Sequence, residues 1–521
     1  MKSKRNFWIV FLLLLLIHAV VILSVTYFPF ADVASHLAEG TIYKYYNQAS
    51  NKFNEYYTLH YFFYPNTFHL FFFALPIFSS VEIANKILHL LIVISLPPLI
   101  YLIIKEINGN RWFALTGFVL VYGYNLTFGF TGNALANDVI LLILWLWLRT
   151  LDPKSNHFLN MIGIASFLIL VYFSHAMVAL FGLMMVGAFL LYRYKSNFGK
   201  LVLNSLVLLP LGALIAYWWF FLQKSAEGTT AYTPSEVSTG AFMKEYYARE
   251  FWTTYLDRVK FLVADNAQLF SGIVGKIVAL LLTLIIVVPI AVLLYQYLVK
   301  RNKAIPLNSI LDPNNKFTYI VIFFFVSLGC YFILPSRIPG QEPLYERFST
   351  ILLFAFIFIG SKISEFNTRF FAYAATLVAI VHLGLWAQYL YQFNQENKNF
   401  AQVFPQDNSK VLSYMNYDPF YRGRMVYDHY QCFYIIQHQG ITTSKIIDYR
   451  FGMIRRKESG GLPSQERMYF NENPRKLLQK ADYLLVRGKI PANHQRILDS
   501  LNTFTKVKDV DNWHLLKRKS I

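Results

Sequence analysis

The sequence predicts a mainly α fold, a polytopic membrane bundle of about eleven transmembrane helices with a small α/β domain at its C-terminal end. Three observations carry this. Hydrophobic residues make up 55% of the 521 and aromatics 18%, a composition outside the range of ordinary soluble domains. Apolar runs near the length needed to cross a bilayer recur along the first three quarters of the chain. From about residue 391 the apolar runs stop and short alternating segments separated by turns take over.

The first run, 7–27, follows Met1-Lys-Ser-Lys-Arg5. It is too long for a signal-peptide core and lacks a small-residue cleavage site, so it is expected to stay as an anchor. Further spans are expected near 84–104, 112–130, 134–150, 158–173, 176–192, 201–222, 273–299, 317–334, 347–361 and 370–390. Pro65 and Pro76 interrupt 59–80, which is read as a re-entrant or interfacial element of a long first outer loop, 28–83. With that assignment Lys105/Arg111, Arg149/Lys154, Arg193/Lys195/Lys200, Lys300/Arg301/Lys303 and Lys362/Arg369 all share the side of Lys2, Lys4 and Arg5. This is the positive-inside pattern. It places the N-terminus in the cytoplasm and the C-terminal domain outside.

Residues 1–390 are therefore expected to form the membrane module, with a second long outer loop at 223–272, and 391–521 a soluble extracytoplasmic domain. That tail holds 21 Lys and Arg against 12 Asp and Glu, a surplus that suits solvated surface charge, or anionic headgroups and glycans. Arg424–Asp428 and Asp482–Arg487 read as strands, Phe504–Val510 with Asn512–Arg518 as a hairpin, and the segments after Asn473-Pro474 and from Pro491 to Leu501 as helices. The two cysteines, Cys330 and Cys432, exclude a disulfide framework and a thiolate metal site. No Gly-rich phosphate loop of the nucleotide-binding kind occurs in the short inner loops, and nothing indicates a nucleic-acid partner.

Charged or polar residues at the edge of a membrane bundle are functional candidates because an unpaired one is costly there. Asp32, in Phe28-Pro-Phe-Ala-Asp-Val-Ala-Ser-His36, directly follows the first span. Its carboxylate can take a proton from an acceptor hydroxyl or bind a divalent cation, with His36 at i+4 sharing the metal or tuning the acid. The competing reading is a helix N-cap. Asp138, with Asn133 and Asn137 in Gly132-Asn-Ala-Leu-Ala-Asn-Asp138, offers a second carboxylate and neutral oxygen ligands, again with capping as the alternative. His175 opens the sixth span and is either a ligand or a structural histidine. Arg337, Glu342 and Arg347 lie in a Pro/Gly-shaped outer loop; arginine's planar fork suits a lipid-linked phosphate, whereas snorkelling explains Arg337 alone. His60 and His69 sit in an aromatic cluster of the first loop. Lys244–Trp252 offers aromatic and charged groups for sugar stacking or a mobile amphipathic lid.

Taken in order, these features resemble the type C membrane glycosyltransferases, the group that includes oligosaccharyltransferase catalytic subunits, protein O-mannosyltransferases and aminoarabinose lipid A transferases. The resemblance spans nearly the whole chain and lies in motif order: an acid after span one (Asp32), a Tyr-Pro interfacial segment (Tyr64-Pro65 to His69), a second acidic site (Asn137-Asp138), Ser174-His175, and an Arg opening a late span (Arg347). A poorly characterised prokaryotic branch is the nearest in pattern, which implies a bacterial inner membrane as the location. The chain departs from the oligosaccharyltransferases in having only Asn137-Asp138-Val139 at their Asp-Asn-Glu triplet and no WWD-type motif in the tail.

The resemblance implies transfer of a sugar, with inversion, from a polyprenyl-phosphate-linked donor to a glycan, lipid or protein acceptor at the outer face of the bilayer. In that scheme Asp32 is the base and Asp138, with His36 or His175, completes the catalytic site; alternatively Asp32, His36 and Asp138 are ligands of Mg or Mn. His36, His69, Asn133, Asn137, His175, Glu342, Arg337 and Arg347 contribute to substrate binding. A lipid or glycan transporter and a non-catalytic assembly subunit are the rival functions; no inverted repeat supports the first.

Overall fold

The computed structural model describes residues 2–60, 62–222, 253–265, 272–298, 311–336, 343–362, 368–443, 453–457, 478 and 481–519. Arg337, Glu342, the Lys244–Trp252 segment, the Lys300/Arg301/Lys303 cluster and the segment after Asn473-Pro474 lie outside the described residues. The chain divides into two compact units: residues 1–24, 89–220 and 234–387 form the first, and 25–88, 221–233 and 388–521 the second.

Nine helices among the described residues are long and apolar enough to cross a membrane: Lys4–Ser24, Val81–Glu106, Thr131–Thr150, His157–Ser174, Ala176–Tyr194, Phe198–Leu222, Ile273–Val292, Lys316–Ile333 and Arg369–Val403. The protein is thus a multi-pass helical membrane protein. Two expected spans are built differently. Residues 112–130 break into Arg111–Thr116, Gly117–Leu120 and Tyr124–Phe128, punctuated by Gly123 and by Gly129 in the left-handed region at φ 104°. Ser349–Gly360 is a helix of 12 residues, which rises about 18 Å against a hydrocarbon core of about 30 Å. Apolarity alone identified these stretches, and it does not report helix length.

In the first unit, large side chains fill the bundle and small ones set its close approaches. Trp147 is fully buried against Phe189 and Tyr319. Phe113 stacks on Phe371 with ring centroids 3.9 Å apart. A Cβ on Gly117 would come within 2.9 Å of Ile100 and 3.2 Å of the Pro97 backbone. The outward side of the first helix exposes Leu12, Leu13, Leu16 and Val20, a surface suited to lipid tails, since helical backbone polar groups are satisfied internally.

The second unit carries a five-stranded sheet in the order β5-β2-β7-β9-β8. Its strands are β2 (Val411–Asn416), β5 (Ile441–Thr442), β7 (Tyr483–Arg487), β8 (Phe504–Val510) and β9 (Trp513–Arg518). β2 runs parallel to β5 and β7, while β9 is antiparallel to both β7 and β8. The Ala492–Leu501 helix covers one face through Leu498, which joins Met415, Leu484, Val486 and Leu516 in the core. Two antiparallel pairs add to this: a tight hairpin of β3 (Phe420–Tyr421) with β4 (Arg424–Met425), and a long-range pairing of β1 (Tyr57–Leu59) with β6 (Ile454–Arg456).

The pairing of β1 with β6 ties the loop between the first two long helices to the C-terminal segment. Among the described residues of 59–80 there is no spanning helix; the helix there is Phe68–Ala74, of 7 residues. Tyr64 is anchored by Arg455, which donates to its hydroxyl at 2.8 Å. The loop helix Val33–Tyr45 lies on Phe68–Ala74, and Gly40 lets it close in, since a Cβ there would stand 2.9 Å from Phe73.

Candidate functional site

The entry to Val33–Tyr45 is pinned by one amide. Asn394 Oδ1 accepts from the backbone N–H of Thr26 at 2.9 Å and of Tyr27 at 2.8 Å, while its Nδ2 donates to the Tyr27 carbonyl at 3.0 Å. The chain then turns through Phe28-Pro29-Phe30 and delivers Asp32 at the helix start. Asp32 has helical dihedrals, φ −90° and ψ −11°, and its side chain makes no capping hydrogen bond. An N-cap ordinarily sits in the extended region so that its side-chain oxygen can reach the N–H two or three residues on. The capping reading is thereby removed.

The Asp32 carboxylate instead faces His429, with Oδ1 3.7 Å from Nε2. The same nitrogen lies 3.6 Å from Asp428 Oδ2. The helical spacing of Asp32 and His36 predicts that they work as a pair, but His36 turns to a different partner. Its Nδ1 is 3.1 Å from His69 Nε2, with the rings crossing at 83°, and 3.9 Å from Glu39 Oε2. One of the two facing imidazole nitrogens must be unprotonated for that bond to form. The side chains of Asp32 and His36 are 19% and 23% exposed, so the cluster is partly shielded yet reachable.

His429 and Asp428 were absent from the sequence-based site. The only signal is the acid-histidine pair inside Tyr427-Asp-His-Tyr430, and such pairs are common on surfaces. No three His, Cys, Asp or Glu side chains among the described residues are arranged to hold a metal ion. His36 Nδ1 is turned to His69 and the Asp32 carboxylate to the His429 imidazole.

A separate cluster forms in the first unit. Arg347 Nε donates to the Pro343 carbonyl at 2.7 Å, Nη1 bonds His175 Nε2, and the guanidinium lies 4.2 Å from the centre of the Phe130 ring. Arginine stays protonated, so His175 accepts through Nε2 and is neutral. Asn125 holds the Arg347 carbonyl at 3.0 Å. Next in sequence, Glu346 is pushed up to about 7 by burial, with Arg258 opposing the shift.

Asp138, 4% exposed, accepts from Ser95 Oγ at 2.6 Å. Asn133 and Asn137 share its helix, spaced one turn apart. Both amide atoms of Asn133 and Oδ1 of Asn137 are buried with no partner among the described residues. Buried polar groups are seldom left this way unless a ligand or water completes them.

Fold and clusters define a class: a polytopic helical membrane protein with a small α/β domain, a carboxylate-histidine cluster at the start of its first long loop, and an arginine-histidine pair in its helical unit. A solved structure similar to the chain is that of ArnT from Cupriavidus metallidurans bound to undecaprenyl phosphate. The two share 12% identity over 99% of this chain and 98% of that one, with a TM-score of 0.42. No protein-family model and no curated protein matches the sequence.

Proposed function

We propose that the protein is a membrane glycosyltransferase that moves a sugar from a polyprenyl-phosphate-linked donor to a glycan, lipid or protein acceptor at the outer face of a bacterial inner membrane. The observation that carries this reading is Asp32: a partly exposed carboxylate freed from helix capping and set against His429. Motif order supplies the reaction class.

In that reaction an acceptor hydroxyl attacks the anomeric carbon, the bond from that carbon to the phosphate oxygen breaks, and configuration inverts. Asp32 takes the hydroxyl proton. His429, flanked by Asp32 and Asp428, orients the base and offers the proton a way out through an imidazole. His36 and His69 give the same face hydrogen-bonding groups for sugar hydroxyls. The leaving phosphate is assigned to Arg347, whose guanidinium is oriented by Pro343, His175 and Phe130, because oriented charge on a leaving group is usually a large catalytic term. Asn133, Asn137 and Asp138 are assigned to substrate binding on the strength of the unpartnered amide atoms.

The test is mass spectrometry of lipid-linked and surface glycans from a strain lacking the protein, complemented with wild type or with Asp32→Asn. A glycan present only with wild type is expected. Identical glycans in all three strains would overturn the proposal.

A further inference from the structure

A second polar cleft, of about 560 Å³, opens within the second unit and takes no part in the Asp32 cluster. That volume falls inside the range of about 300–1,000 Å³ usual for small-molecule sites. Its floor is Arg487, 2% exposed, at the end of β7. The guanidinium lies 3.3 Å from the centre of the Tyr427 ring and 4.9 Å from that of Trp513.

Two carboxylates are fixed on this arginine. Glu396 Oε1 is 3.1 Å from Arg487 Nη2 and also accepts from the Tyr427 hydroxyl at 2.8 Å. Asp418 Oδ2 is 3.5 Å from the same Nη2 and accepts from Asn512 Nδ2 at 2.8 Å. Each carboxylate thus has one oxygen held and the other with no hydrogen-bond partner among the described residues, and both side chains are more than two-fifths exposed. Gln392 adds an amide oxygen that is buried without a partner among the described residues.

One wall is an exposed aromatic ring. The β3–β4 hairpin turns through Arg422 and Gly423, both in the left-handed region at φ 49° and 80°, the geometry of a tight two-residue hairpin. Strand alternation then buries Tyr421 and leaves Phe420 55% exposed at the cleft.

We infer that this cleft is a binding site for a neutral saccharide. Pyranose hydroxyls are donors and acceptors on adjacent carbons, which suits fixed carboxylate oxygens beside an amide. The C–H face of the same ring suits the electron-rich face of Phe420. Two carboxylates meet two guanidiniums, Arg422 and Arg487, so the lining is charge-balanced. Arg487 is already engaged by both acids, and an anionic phosphate would meet their open oxygens. The inference does not rest on the transfer reaction.

The experiment is saturation-transfer NMR on the full-length protein in detergent micelles, with maltotriose, cellotriose and chitotriose as probes. Transfer to at least one of them is expected, reduced about fivefold or more in both Phe420→Ala and Asn512→Ala. It should persist in excess inorganic phosphate and in Asp32→Asn, so that failure here is distinguishable from failure of the transferase reading. Absence of transfer to all three sugars, an unchanged signal in Phe420→Ala, displacement by phosphate, or loss in Asp32→Asn would each overturn the inference.

Discussion

Replacing Asp32 by asparagine keeps its volume and removes the proton acceptor. The expected loss in transfer rate is about 10²–10⁴-fold, the contribution of a positioned general base, with wild-type expression and thermal midpoint. A fall in both activity and midpoint would make Asp32 structural. His429→Gln preserves a polar group and should cost less, with a changed pH profile as its signature.

Glu346 gives a second residue-scale expectation. Burial holds its carboxyl at about 7 against 4.5 for the free side chain, so the folded state binds more protons between those values. Stability is fully present below the lower value, falls as pH rises, and levels off above the upper one, for a total of up to about 3 kcal/mol. Thermal midpoints of wild type and Glu346→Gln at acidic and alkaline pH measure it. Only wild type should fall, and parallel curves would refute the assignment. Asp32 and His36 were legible in the sequence because they lie just behind one span, and His69 because it closes the Tyr64-Pro65 segment of the first loop. His429 was not, because nothing local marks a side chain that the fold returns to the first loop from the far end of the chain.

Gly488, directly after β7, sits at φ +81°, and a Cβ there would stand 2.9 Å from Asp418 Cβ and 3.2 Å from Asp418 N. Gly488→Ala is therefore expected to destabilise by about 1–3 kcal/mol, read as a lowered thermal midpoint, and to weaken saccharide binding by displacing Asp418. An unchanged midpoint would show that the 416–418 turn can yield. Among the elements, β7, the β8–β9 hairpin and the Ala492–Leu501 helix were legible because turn residues and apolar patterning bound them. β2 was not read as a strand. Its first five residues are all buried, so the period-two alternation that identifies a half-buried strand is missing, as expected for a central strand pairing in parallel on both sides. The shortness of Ser349–Gly360 was hidden for a related reason: a continuous apolar run reports burial and not where the helix ends.

At the scale of the whole molecule, the inner and outer assignments rest on the distribution of lysine and arginine between spans, which governs orientation through short loops. The chain suits a direct check because its cysteines, Cys330 and Cys432, are both free and buried, so the wild type should be nearly silent to a membrane-impermeant maleimide. Lys154 and Lys398 are both exposed. Lys154 lies between the Thr131–Thr150 and His157–Ser174 helices in a predicted inner loop, and Lys398 comes directly after the long helix Thr368–Glu396, beyond the span expected at 370–390. Lys398→Cys should label in intact spheroplasts, and Lys154→Cys only after permeabilisation. The opposite pattern would put the Lys154 loop outside and invert the charge rule. Because the described residues of 59–80 form no spanning helix, that inversion would need a different number of crossings before Lys154, and the short pieces at 112–130 would be the first place to look for it.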